Sequence, residues 1–223
     1  MTIDKNALRF LSKLKDNNNR NWFNQNKPTF KEHENQVKLF FASLEADLNQ
    51  SDDIDKHKVF RIYRDIRFSK DKTPFKHHFS GYFLRRKPAL RGSYFLKIEP
   101  GGNSMAGGGF YGPNKDDLLR IREEFAYDDE PLRKILNAKK FKSTFGTLQG
   151  ERLKTAPRGF DPSHPANDLI SMKQFYAFKQ FTDKEVVSAN FSKQVIDTFK
   201  TLRPYFDYMS EVLTTNSNGE SII

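Results

Sequence analysis

The chain contains no cysteine, which excludes disulfides, thiolate metal sites, iron–sulfur clusters and cysteine nucleophiles together. No apolar run approaches the roughly 18 residues a membrane span requires. The start, Met1-Thr2-Ile3-Asp4-Lys5, lacks the apolar stretch of a signal peptide. A cytoplasmic protein with no membrane association is expected. HExxH-like spacing is missing, so no metal site is expected, and no cofactor is indicated by any motif.

With 223 residues the chain is long enough to bury roughly 70% of its unfolded surface. The 22 phenylalanines must supply much of the apolar interior. The formal net charge of +10 is local. Between Lys56 and Arg91 twelve Lys and Arg face only Asp65 and Asp71, and the rest of the chain is balanced. A cationic surplus packed into so short a stretch suggests an anionic partner at that place.

Hydrophobic spacing predicts two helices in the first 50 residues, through Ile3, Ala7, Leu11 and Leu14 and then through Val37, Phe40, Phe41, Leu44 and Leu48. Thr29 and Glu32 after Pro28 read as a capping box. Strands are expected over Val59–Phe68, Phe79–Leu84, Ser93–Glu99 and Met105–Tyr111, and another within Ser171–Phe181. Helical spacing returns over Leu118–Phe125, over Pro131–Leu136 and towards the C-terminus. There Thr182 and Glu185 form a second capping box, and Pro204 should kink or restart the helix. Strands in mid-chain with helices before and after give an α+β fold with a largely antiparallel mixed sheet. A single domain over 1–213 and a disordered tail over 214–223 are expected.

The densest segment runs from Arg61 through Arg64, Asp65, Arg67, Phe68, Asp71, Lys72 and Pro74 to His78. Read as a strand, it puts Arg61, Tyr63, Asp65 and Arg67 on one face and Arg64 on the apolar side, where it would need a partner or a bulge. Three guanidiniums around one carboxylate suit bidentate recognition of phosphate or carboxylate, or else form a structural ion-pair network. Asp65 is a poor general base among cations and is better placed to orient arginines. Proton transfer falls more naturally to His77 or His164. Adjacent His77 and His78 would point to opposite faces.

The segment Gly101–Gly112 tempts a phosphate-loop reading, yet it lacks the required motif context and reads better as a glycine-rich hairpin beside the site. Pro157-Arg158-Gly159-Phe160 with His164-Pro165 is a rigid loop presenting an Arg and a His. Trp22 reads as a core residue docking the first helices.

The pattern Arg61-x-x-Arg64-Asp65-x-Arg67-Phe68 followed by Asp71-Lys72-x-Pro74 resembles the signature of the family called domain of unknown function 2461, found in bacteria and fungi. Asn18-Asn19-Arg20-Asn21-Trp22-Phe23, the Gly107-Gly108-Gly109 turn and the Pro157 segment support it. The resemblance covers about Phe10 to Leu213 and implies that Arg61, Arg64, Asp65, Arg67, Asp71 and Lys72 are signature positions. The family usually ends its signature with Tyr, where this chain has Phe75. No activity comes with the resemblance.

The leading expectation is a pocket for a small anionic or phosphorylated ligand, built from Arg61, Arg64, Arg67 and Lys72 with Asp65 and Asp71, and with Gly108, Arg158 and His164 nearby. Were it catalytic, His164, His77 and Asp65 are the candidate groups. The alternatives are a nucleic-acid binding module, with Tyr63, Phe68 or Phe75 stacking bases, and an ion-pair network that binds nothing.

Overall fold

The computed structural model describes residues 2–216 and 218–223; those parts of the expected leaderless start and disordered tail that fall on Met1 and Ser217 lie outside the described residues. The architecture is α+β, with helices at both ends of the chain. Strands β1 (Ile54–Val59), β2 (Phe79–Arg85), β3 (Ser93–Ile98), β4 (Ser104–Phe110) and β5 (Phe175–Phe181) form one antiparallel sheet in that spatial order. No helix among the described residues is long and apolar enough to cross a membrane.

The chain folds into two compact units. The first comprises Met1–Phe83, Phe95–Ala106 and Gln180–Asp197, and the second Leu84–Tyr94, Gly107–Lys179 and Thr198–Ile223. In the first, helix α1 (Lys5–Asp16) is capped by Asp4, whose carboxylate accepts from the Asn6 amide at 2.8 Å, and it buries Ala7, Leu8, Phe10, Leu11 and Leu14. A short α2 (Arg20–Gln25) is capped by Asn19, and α3 (Lys27–Leu48) follows after Asn26. The expected capping box at Thr29 does not form. The helix starts earlier, because Pro28 needs no amide partner in a first turn.

Phenylalanine builds the core of this unit. Phe23 stacks on Phe75 with ring centroids 4.1 Å apart, Phe30 on Phe79 at 5.9 Å and Phe41 on Phe83 at 5.3 Å. Each such pair is worth about 0.5–1.5 kcal/mol beyond its buried area. The Thr182–Glu185 capping box does form, on the four-residue α8 (Asp183–Val186).

The second unit holds α4 (Lys115–Tyr127), α5 (Glu130–Asn137), α6 (Lys139–Phe145) and α7 (Asn167–Ile170). Neither of the last two is among the expected helices. Helix α9 (Phe191–Thr214) runs through Pro204 rather than restarting at it. An internal proline costs about 3 kcal/mol. Full burial of Phe199, Leu202, Tyr205, Phe206 and Met209 on the same helix outweighs that cost.

Glycine sets the spacing around β4. A Cβ on Gly107 would lie 2.0 Å from the Ala177 carbonyl oxygen, and one on Gly108 2.3 Å from that of Ser93. Both obstacles are backbone, which cannot swing aside as a flexible side chain does. Gly107→Ala is therefore expected to lower stability by roughly 1–3 kcal/mol, read as a fall in urea midpoint. The Gly102 turn position has open space, and alanine there meets only the cost of its positive φ, 74°.

Candidate functional site

The expected strand Val59–Phe68 does not exist beyond Val59. β1 begins earlier, at Ile54, and after Phe60 donates to the Ser80 carbonyl at 2.8 Å the chain leaves the sheet. It returns through an isolated antiparallel bridge between Tyr63 and Phe75, with Lys76 N–H donating to Ile62 at 2.8 Å and Arg64 N–H to Pro74 at 2.9 Å. Residues 64–74 thus form a closed loop. The alternation that reads as a strand is overridden by local chemistry. Pro74 has no amide to offer a ladder, and Asp65 and Asp71 accept from the amides of Arg67 (3.3 Å) and Thr73 (2.9 Å), each two residues on.

Arg64 accordingly is no core residue. Its guanidinium crosses the loop and donates to the Asp71 carboxylate, to the Thr73 hydroxyl, to the Thr73 carbonyl at 3.2 Å and to the Ser69 hydroxyl at 3.4 Å. Lys72 adds a second brace, donating to the Ile66 carbonyl at 2.9 Å. The three guanidiniums expected around one carboxylate resolve into two separate pairs, Arg64 with Asp71 and Arg67 with Asp65 at 2.6 Å. Arg61 is exposed, and contributes only its field to Asp65. The Thr73 amide, with Arg64 and the Thr73 hydroxyl, pulls the Asp71 carboxyl down to about 2. The hydrogen bonds from Arg67 hold Asp65 below its usual range as well. Both acids therefore stay ionised at neutral pH.

The N-terminal motif docks this loop. Asn18 brackets Phe75, its amide donating to the Phe75 carbonyl at 2.9 Å and its oxygen accepting from the Phe75 N–H at 3.1 Å. Phe23 stacks on the same ring. Phe75 is 2% exposed among Phe23 and Tyr63, an environment that uses no hydroxyl. Trp22 packs on Phe10 at 5.6 Å, but it is half-buried rather than the core residue expected.

Beside the loop lies a cavity of about 240 Å3 lined by Arg20, Asn24, Tyr63, Arg64, Ile66, Pro74 and Phe75. Of the residues expected to bind ligand, Arg64 alone is in this lining. Arg20 and Asn24 come from α2, and the exposed Arg20 guanidinium has no ion-pair or hydrogen-bond partner among the described residues. Sequence reasoning assigned neither of them to the site. The available signal was their place in and next to the Asn-Asn-Arg-Asn-Trp-Phe motif.

His77 and His78 sit in the same unit, just before β2. His77 Nε2 lies 2.9 Å from Glu99, whose other oxygen accepts from Lys97 at 2.5 Å. Burial pulls the His78 imidazole down to about 4, and Lys97, Lys76 and His77 add to the effect against the pull of Glu99. The glycine turn is also in this unit. The amides of Gly101 and Gly102 hold the Asp183 carboxylate at 2.9 and 3.0 Å. The anion nest is thus filled by the chain's own side chain. Among the described residues no group of three or more His, Asp or Glu is placed to hold a metal ion.

Gly108, Arg158 and His164 belong to the second unit. Gly108 is buried in β4 with Ser93, Tyr94 and Phe206 where a side chain would go. Arg158 is exposed, and His164 Nδ1 accepts from the Ala166 amide at 3.1 Å, which ties it to the entry of α7.

The charges lead to three predictions. Arg64→Ala should raise amide exchange across residues 65–73 while the helices keep their protection. Because the folded pKa of Asp71 is depressed, its support of the loop is complete above about pH 4 and disappears as pH falls through about 2; wild-type exchange at low pH should approach that of Asp71→Asn. For His78 the unfolded imidazole takes a proton near 6.5, whereas the folded one resists until about 4. Stability should then fall across that window, by at most about 3 kcal/mol, and the part due to His78 should vanish in urea titrations of His78→Gln.

A family model described as "Conserved hypothetical protein (DUF2461)" matches residues 6–208. No curated protein and no solved structure matches the chain. The matched span takes in α2, the 64–74 loop, the cavity between them and the His77–Glu99 pair, so that the whole candidate site lies within it, and the chain belongs to the DUF2461 family of conserved hypothetical proteins.

Proposed function

We propose that the first unit binds a small anionic ligand in the cavity bounded by α2 and the 64–74 loop. The observation that carries this reading is the pairing of two guanidiniums in different states. Arg64 is fixed in the cavity wall by four acceptors of its own loop. Arg20 lines the same cavity with no partner among the described residues. A fixed cation and a free one give an anion both a preorganised wall and a fork that closes on it.

The remaining lining narrows the chemistry. Ile66, Pro74, Phe75 and the ring of Tyr63 are apolar, while Asn24 and the Tyr63 hydroxyl add neutral donors. About 240 Å3 is below the range typical of drug-sized ligands. A carboxylate or phosphate on a compact apolar body fits this lining. Arg61, Arg67 and Lys72 then act outside the cavity, on its field and its loop.

The test is a thermal-shift and calorimetric screen of aromatic carboxylates, sugar phosphates and inorganic phosphate against wild type and Arg20→Ala. A ligand at a hundredfold excess over its Kd stabilises the fold by about 2.7 kcal/mol. Arg20→Ala should weaken binding by roughly 10- to 100-fold, as expected for a lost charged hydrogen bond, and leave the ligand-free midpoint unchanged. Equal binding by wild type and Arg20→Ala, or no shift from any anion, would overturn the reading.

A further inference from the structure

Burial accounts for nearly all of the phenylalanine in this chain, and Phe68 is the exception. It is 97% exposed, and among the described residues no other phenylalanine is exposed. A ring left in water forgoes the burial that stabilises its counterparts. Loose chain does not explain it. The Ser69 amide donates to Ile66 at 3.3 Å, Lys72 to the Ile66 carbonyl at 2.9 Å, and Arg64 to Ser69, so the turn that carries Phe68 is braced on three sides. The loop holds this ring out on a fixed support.

The surroundings of the ring are cationic. The Arg67 guanidinium, held by Asp65 at 2.6 Å, lies 5.9 Å from its centroid, and Lys70 and Arg61 are exposed with no ion-pair partner among the described residues. Towards the base of the same loop Tyr63 is 47% exposed, and Lys76 lies 5.2 Å over the Phe60 ring. Aromatic faces and free cations thus recur along one short stretch of chain.

We infer that the 60–76 segment is a docking site for single-stranded nucleic acid, with Phe68 stacking on an unpaired base and Arg61 and Lys70 on the backbone phosphates. A cation beside a flat exposed ring is the arrangement that strand-binding proteins use without sequence readout. A duplex offers no free base face to a ring at a loop apex. An anionic bilayer would gain little, since one ring among Arg67, Ser69 and Lys70 presents too little apolar surface for stable anchoring. This site does not depend on the cavity of Arg20 being occupied.

The experiment is fluorescence anisotropy with labelled single-stranded DNA and RNA of about 12 nucleotides, the matching duplex, and vesicles containing phosphatidylserine, at about 50 and about 200 mM salt. Single strands should bind in preference to the duplex, with a log–log salt slope of about −1.4, at about 0.7 per phosphate contact. Phe68→Ala should weaken binding about 5- to 150-fold without changing the thermal midpoint, since the side chain makes no buried contact. Lys70→Ala should reduce the slope by about 0.7. Equal binding by Phe68→Ala, a preference for duplex, vesicle binding that depends on Phe68, or no binding to any probe would each overturn the proposal. Arg20→Ala serves as the control for the cavity: it should leave strand binding intact even if no small anion binds there.

Discussion

The Arg64 guanidinium carries the local organisation of the basic segment. Between Tyr63 and Phe75 the backbone gives up the sheet, and each peptide group that leaves a ladder needs another partner or water. Arg64 offers up to five donors in one rigid fork, and it reaches a carboxylate, two hydroxyls and a carbonyl on the returning half of the loop. The same side chain forms part of the cavity wall. The shape of the cavity and the presentation of Phe68 are thus two consequences of one clamp.

That clamp also divides the charge into two kinds. The surplus of cations between Lys56 and Arg91 reads in the sequence as one basic patch. In the folded loop Arg64, Arg67 and Lys72 are engaged with Asp71, Asp65 and the Ile66 carbonyl. Arg20, Arg61 and Lys70 face solvent without such partners among the described residues. Engaged cations set geometry; free ones set the field an anion meets. Arg64, Arg67 and Lys72 accordingly do more to build the site than to touch a ligand, and the cavity's free cation, Arg20, comes from a helix outside the segment.

A similar division holds for the glycines. The turn at Gly101 and Gly102 has the amide geometry of an anion site, but Asp183 occupies it. Gly107 and Gly108 lie where neighbouring strands come too close for a Cβ. In both places the glycine is explained by the chain's contact with itself. The His77–Glu99–Lys97 group is likewise internally satisfied, a carboxylate shared between an imidazole and an ammonium.

The sequence by itself determined what depends on periodicity and composition. It gave away the α+β order, strands β2 to β4 to within a residue at each end, the Phe-rich core, the capping box at Thr182 and the local placement of charge, because each follows from repeats of 2 or 3.6 residues or from a count. Only the tertiary structure decided what depends on competition between interactions. Asp65, Asp71 and Pro74 turn an apparent strand into a loop, since side chains that bond their own backbone defeat alternation. Buried neighbours carry α9 through Pro204 against local propensity. The meeting of Arg20 with Arg64 joins residues more than forty positions apart, through Asn18 and Phe23 docking on Phe75. No periodicity encodes a contact of that kind, because it arises from packing and not from the run of the chain.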